Sequence, residues 1–229
     1  MIFRRAKTPP AHGGGAFTVL FDFDGTLADT LALGAEIANR YYEQYRFRRL
    51  DKDLVERLRK GTALEALKTV GLTPLTVVPV MRLVRADMHR ELERAPFFEG
   101  NRAVLDGARA LGWRLGILTS NRRANVTAFL ATHGLKSAFD FIHTERSVFG
   151  KWKAMKRMMK LEGLEPGRTV MVGDELRDLE AAEKSGLSFV GVPWGFNHPD
   201  RIESEKPGTV AADGSDLMRR LKALASRSA

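Results

Sequence analysis

Val19-Leu20-Phe21-Asp22-Phe23-Asp24-Gly25-Thr26 is the stretch that decides how this 229-residue chain folds. It begins as an apolar run and ends in two carboxylates flanking one residue, followed by a glycine and a hydroxyl. Short apolar runs without polar alternation mark strands buried on both faces, and hence a parallel sheet. In open parallel sheets, ligands bind beyond the carboxyl ends of the strands, at a topological switch point. The acids at the end of this run therefore stand where chemistry is expected. Once the chain turns at Gly25, the two side chains can converge. Two carboxylates that close repel and need a cation or a proton between them. That suits a nucleophile paired with an acid/base. An isolated D-x-D would read more simply as loop caps at a strand end; Gly25-Thr26 and then Asp29 tip the balance toward function.

Working outward, four more runs have the same buried-strand character: Arg114–Thr119, Phe139–His143, Thr169–Val172 and Ser188–Val192, with a weaker sixth at Thr209–Ala212. Amphipathic helical stretches separate most of them: Asn101–Leu111, Arg122–His133, Lys151–Leu161 and Glu175–Ser185, and a last helix starting at Asp213 or Ser215. Gly134 and Gly186 are C-cap signals. Alternating strands and helices predict an α/β fold, a parallel sheet with helices on both faces. From about Thr30 to Ala95 the alternation stops, and only helical patterns follow: Leu31–Tyr45, Asp51–Lys60, Ala63–Val70 and Pro74–Arg94, punctuated by Gly61, Gly71 and Pro74. The expected organisation is a core of residues 16–29 and 97–229 with an all-helical domain, 30–96, inserted after the first strand. Residues 1–15 carry Arg4, Arg5 and Lys7 without an apolar core after them, so they do not read as a signal peptide. With Pro9, Pro10 and Gly13 to Gly15 they read as a flexible leader outside the fold.

The sequence has no cysteine, which excludes disulfides, thiol nucleophiles and thiolate metal sites and fits a cytoplasmic location. No apolar run approaches the roughly 20 residues of a membrane helix, so no membrane partner is expected. The net charge of +9 suits a basic surface that attracts anionic substrates. The arginines are dispersed; the nearest thing to a cluster is Arg46, Arg48 and Arg49 beside Tyr41, Tyr42 and Tyr45, which weighs against a nucleic-acid partner.

The other strand ends carry polar, reactive residues too. The second ends in Thr119-Ser120-Asn121 before a helix, either an anion site or an ordinary N-cap. Lys151 opens a helix after Val148-Phe149-Gly150 and could balance carboxylates and a phosphate, with Lys153 as a rival. The fourth ends in Gly173-Asp174-Glu175, with Asp178 one turn on. Those acids can offer oxygens to a hard cation such as magnesium, or simply favour a helix start through the macrodipole. The five histidines, His12, His89, His133, His143 and His198, are scattered and suggest no second metal.

Taken in order, D-x-D-G-T, then Thr, then Lys, then G-D-x-x-x-D at strand ends resembles the haloacid dehalogenase-like superfamily, over nearly the whole chain from about Phe17. The resemblance implies a Rossmann-like sheet with an α-helical cap after the first strand, returning through Phe97-Phe98-Glu99-Gly100. It implies a phosphatase in which Asp22 is the nucleophile that forms an aspartyl-phosphate. Asp24 is then the general acid for the leaving oxygen and the base for water. Thr119 and Lys151 hold the transferring phosphoryl group, with Gly25, Thr26, Ser120 and Asn121 around the substrate. Mg2+ is implied at the Asp22 carboxylate, the Asp24 carbonyl and Asp174, with Asp178 close or joined through water. Dehalogenases resembling this scaffold lack an acid/base aspartate at the position of Asp24, because a halide leaves unprotonated.

A large cap implies a small phosphorylated substrate, as in the phosphoglycolate phosphatases and β-phosphoglucomutases that share this plan. The sequence departs from the phosphoglycolate phosphatase pattern in two places. The lysine loop reads Phe-Gly-Lys-Trp-Lys rather than Lys-Pro-x-Pro, and Glu175 stands where Ser or Thr is common. A phosphomutase would share every motif and would need a cap residue that keeps water out and relays a proton, for which His89 is a candidate, though it reads more simply as a helix-surface residue. A non-catalytic relative would have lost a charged residue, and none is missing.

Overall fold

The computed structural model describes residues 15–61, 63–145 and 150–228. The leader expected over 1–15 lies outside them except for Gly15, as do Val148 and Phe149 before Lys151. Five strands form one parallel sheet: β1 Thr18–Phe21, β2 Arg114–Thr119, β3 Phe141–Thr144, β4 Thr169–Gly173 and β5 Ser188–Gly191. Their order is β3-β2-β1-β4-β5, the parallel α/β sheet that the apolar runs predict. Phe21 registers with Ile117 on one side and Val172 on the other. The chain fills β2 and β3 on one flank of β1, then returns to β4 and β5 on the other. The switch point therefore falls at the carboxyl end of β1, where Asp22 emerges.

Between Ala28 and Phe97 the chain is helical: α1 Thr30–Ala38, α2 Tyr42–Tyr45, α3 Lys52–Lys60, α4 Ala63–Val70 and α5 Pro74–Glu91, with a 3-10 turn at Leu92–Arg94. Asp51 caps α3 by accepting from Leu54 N at 2.7 Å, and Thr73 caps α5. The single helix expected over Leu31–Tyr45 is broken in two, because Asn39 bonds elsewhere. Its amide donates to Leu50 O and its carbonyl accepts from Leu50 N, both at 2.7 Å. Entry and exit run side by side. Ala28 pairs antiparallel with Phe97, Asp29 N donates to Pro96 O at 2.8 Å, and Phe98 N donates to Leu27 O at 3.0 Å. No single helix among the described residues is long and apolar enough to cross a membrane.

Side chains alternate across the sheet, as the strand period requires. Val19, Phe21, Leu115, Ile117, Val170 and Val172 face one layer, formed by α6 (Gly100–Ala110), α7 (Arg123–Thr132) and the C-terminal helix Gly214–Arg227. Leu20, Leu118 and Met171 face the other, against Met155 and Met158 of α8 (Lys151–Glu162) and Leu179 of α9 (Leu176–Lys184). Ile202 of α10 (Pro199–Glu205) joins that second layer, a helix too short for its period to be read from sequence. The weak sixth strand expected over Thr209–Ala212 is a single bridge, Gly191 to Val210. Asp213 already caps the C-terminal helix, α11, through Asp216 N, which leaves no room for a longer ladder.

Candidate active site

Asp22 is the first residue past β1, and its N–H still bonds to Val172 O of β4 at 2.9 Å. That ladder bond fixes the side chain at the centre of the sheet's carboxyl edge, where it is buried. Oδ1 lies 2.8 Å from Lys151 Nζ. Lys151 opens α8 just after Gly150, whose φ of 105° makes the turn into the helix. Its ammonium also lies 2.6 Å from Asp178 Oδ1 in α9. The rival, Lys153, is exposed and lies over the Trp152 ring instead.

Asp174 follows β4 and is fully buried. Thr26 Oγ1 donates to its Oδ1 and Phe196 N to its Oδ2, each at 2.7 Å. The walls around it are backbone: a Cβ on Gly195 would lie 2.1 Å from Asp174 Cβ, and one on Gly25 2.3 Å from Oδ2. Asp178 Oδ2 accepts from Glu175 N at 3.1 Å, and the Glu175 carboxylate takes the Arg177 guanidinium at 2.5 Å. Burial raises the pKa of Glu175, and Arg177 opposes that rise.

Asp24 is half-buried past the turn, and Asn121 Nδ2 spans its two oxygens at 3.1 and 3.2 Å. Thr119 is buried at the end of β2, where its Oγ1 accepts from Asn121 N at 3.0 Å, while Ser120 is exposed. Burial raises the pKa of Asp24 and the Asn121 amide opposes it.

Burial also pushes Asp22 up to about 7, with Lys151 pulling it down and Asp178 adding to the rise. Asp174 is held well above the ordinary carboxylate range by burial, and then by Asp178 and Asp22. Burial works against the charge on Lys151, but Asp178 and Asp22 outweigh it and hold its pKa above the ordinary lysine value. Were all three carboxylates ionised, the one ammonium would leave two negative charges unbalanced.

The residues fit a divalent cation. Asp22, Asp174 and Asp178 each offer one oxygen within 4.8 Å of the other two, and all three are buried. Asp22 Oδ2 is buried without a hydrogen-bond partner among the described residues, as expected of a group completed by something outside the chain. An all-oxygen donor set suits a hard ion such as Mg2+.

The Thr26 side chain is fully buried, its hydroxyl bound to Asp174, because the turn at Gly25 carries it beneath the carboxylates. Asp29 caps α1 by accepting from Ala32 N at 2.9 Å. The structure also adds residues that the motifs do not mark. Asn101 Nδ2 and Trp194 Nε1 both donate to Thr26 O, at 2.8 and 3.1 Å, and so hold the turn that supports Asp174. Trp194-Gly195-Phe196 follows β5, so the rule that strand ends carry the site was signal enough to find it. Nothing in the local sequence marks Asn101.

A family model described as haloacid dehalogenase-like hydrolase matches residues 19–192. The chain is 32% identical over 201 residues to a phosphoglycolate phosphatase of Synechococcus elongatus, covering 88% of this chain and 95% of that protein. The crystal structure of a predicted phosphatase from Clostridium acetobutylicum superposes with a TM-score of 0.73 at 18% identity, covering 91% of this chain and 99% of the other. CbbY from Rhodobacter sphaeroides, in complex with xylulose-1,5-bisphosphate, superposes at 0.63 with 21% identity, covering 89% of this chain and 96% of the other.

Proposed function

The chain belongs to the haloacid dehalogenase-like hydrolase family and is a phosphatase of that kind; from that premise we propose that it hydrolyses a small phosphorylated metabolite, of the phosphoglycolate type, through an aspartyl-phosphate on Asp22. The observation that carries this reading is the Lys151 ammonium set between Asp22 and Asp178 with Asp174 in the same cluster. A cytoplasmic setting belongs to the same reading.

In this mechanism the Asp22 carboxylate attacks phosphorus, and the bond from phosphorus to the leaving oxygen breaks. Asp24 gives its proton to that oxygen, then takes one from the water that attacks the phosphorus and frees Asp22. The raised pKa of Asp24 helps it hold a proton before transfer. Thr119 and Lys151 bind the phosphoryl oxygens, so most of the work is positioning and charge balance. Asp22, Asp174 and the Asp24 carbonyl would hold Mg2+, with Asp178 beside them. When bound, the ion supplies the charge that keeps the carboxylates ionised together and polarises the phosphate.

Residues 30–96 act as a cap over a core of 16–29 and 97–229. The paired entry and exit segments support this. So does Arg59 of α3, which donates to Pro193 O at 2.8 Å in the loop whose Phe196 holds Asp174.

The test is phosphate release across a panel of phosphorylated metabolites that includes 2-phosphoglycolate and sugar phosphates. Wild type should release phosphate at each turnover in a magnesium-dependent way, and Asp22→Asn should release none while keeping its fold. Full activity in Asp22→Asn, or undiminished activity after thorough chelation, would overturn the reading.

A further inference from the structure

His89 is the histidine that the structure ties to the site. Asn125 Nδ2 on α7 lies 2.9 Å from His89 Nδ1 on α5 and 3.3 Å from Asn121 Oδ1. Asn121 Nδ2 in turn spans both oxygens of Asp24. Three side chains therefore connect the inserted helices to Asp24.

The direction of each hydrogen bond follows from one backbone group. Arg122 N donates to Asn121 Oδ1 at 2.8 Å. A backbone N–H cannot be turned round, so Oδ1 faces it and the Asn121 NH2 faces Asp24. Asn121 Oδ1 then takes a hydrogen from the Asn125 NH2, whose other hydrogen points at His89. His89 Nδ1 must offer a lone pair, which makes the ring neutral with its proton on Nε2. Burial, and then the nearby Arg122 and Arg85, lower the proton affinity of His89 and favour that state.

This polarity matters for Asp24. Asn121 presents only N–H to it, so a proton on Asp24 finds no acceptor in Asn121 and is left for another oxygen. Were the amides reversed, Asn121 Oδ1 would accept the Asp24 proton and withhold it.

We propose that His89, acting through Asn125, is a positioning residue for Asp24: its lone pair turns the Asn125 amide so that its N–H joins Arg122 N in holding Asn121 Oδ1 away from Asp24, and the Asp24 proton stays facing the substrate's leaving oxygen. The inference rests on the reading of Asp24 as the general acid. It goes beyond that reading by making an inserted helix part of the acid's support.

A misdirected proton costs most when the leaving group needs it. The experiment compares kcat/KM for p-nitrophenyl phosphate, whose leaving group departs with little help, with that for an alkyl phosphate. The alkyl probe is 2-phosphoglycolate or glycerol 2-phosphate, whichever wild type hydrolyses faster. His89→Leu removes the acceptor and should lower kcat/KM on the alkyl phosphate about tenfold more than on p-nitrophenyl phosphate, a part of the hundredfold or more that a positioned acid contributes. Asn125→Ala should repeat that selectivity. His89→Gln, which can offer a carbonyl lone pair in place of Nδ1, should restore it, and it keeps the test open if His89→Leu folds poorly. Equal losses on both substrates, no loss, or a Gln variant that behaves like Leu would overturn the proposal. Asp24→Asn is the control. If it spares the alkyl phosphate, the reading of Asp24 fails; if it shows the selective loss and the His89 variants do not, only the positioning role fails.

Discussion

A methyl group at residue 195 would press on Asp174, since its Cβ would lie 2.1 Å from that residue's own Cβ. Gly195→Ala must therefore move either the loop after β5 or the carboxylate. The expected result is at least a tenfold rise in the Mg2+ concentration giving half-maximal phosphate release; an unchanged magnesium titration would show that Asp174 does not depend on this slot. Residues of the site were legible in the sequence where they end a strand in a recognisable order. Asp22, Asp24, Thr119, Lys151, Asp174 and Asp178 all come forward that way, and the structure brings Asp22, Lys151, Asp174 and Asp178 into one cluster. The bond from the Thr26 hydroxyl to Asp174 was not legible, because the two lie 148 positions apart. The same holds for the bond from Asn121, named in sequence as a substrate-side residue or a cap, to Asp24 across 97 positions.

At the scale of elements, strands buried on both faces leave a plain record, and all five appear close to where the apolar runs lie. Helix breaks leave less. Leu31–Tyr45 keeps a helical pattern throughout, yet the chain turns at Asn39 because a side-chain amide clamps the backbone of Leu50. Asn39→Ala would leave those Leu50 groups without their side-chain partner. It should lower stability by about 1–3 kcal/mol, the usual cost of stranding such groups, read as a drop in the denaturant midpoint. An unchanged midpoint would mean that solvent replaces both bonds and that the break has another cause. Phosphate release per folded molecule should change less than stability does, since Asn39 touches none of the groups around Asp22.

For the molecule as a whole, the unbalanced charge at the switch point ties stability to pH and to metal. Burial pushes Asp22 in the folded protein up to about 7, against an ordinary value of 3.8. Between those values the folded chain keeps a proton that the unfolded chain gives up, so stability falls as pH rises through that window. Mg2+ opposes the loss only where the carboxylates are ionised. The melting temperature should therefore rise more on adding Mg2+ at pH 8 than at pH 5; equal shifts at both would separate metal binding from these acids. The central claim is that the Asp22 carboxylate becomes covalently phosphorylated during turnover. Its most direct measurement is an acid quench during hydrolysis of a radiolabelled phosphate ester, followed by peptide mapping. Hydroxylamine-sensitive label on the peptide that contains Asp22, absent from Asp22→Asn, is the predicted result. A turning-over wild-type enzyme that never carries label, or an Asn variant that still does, would contradict it.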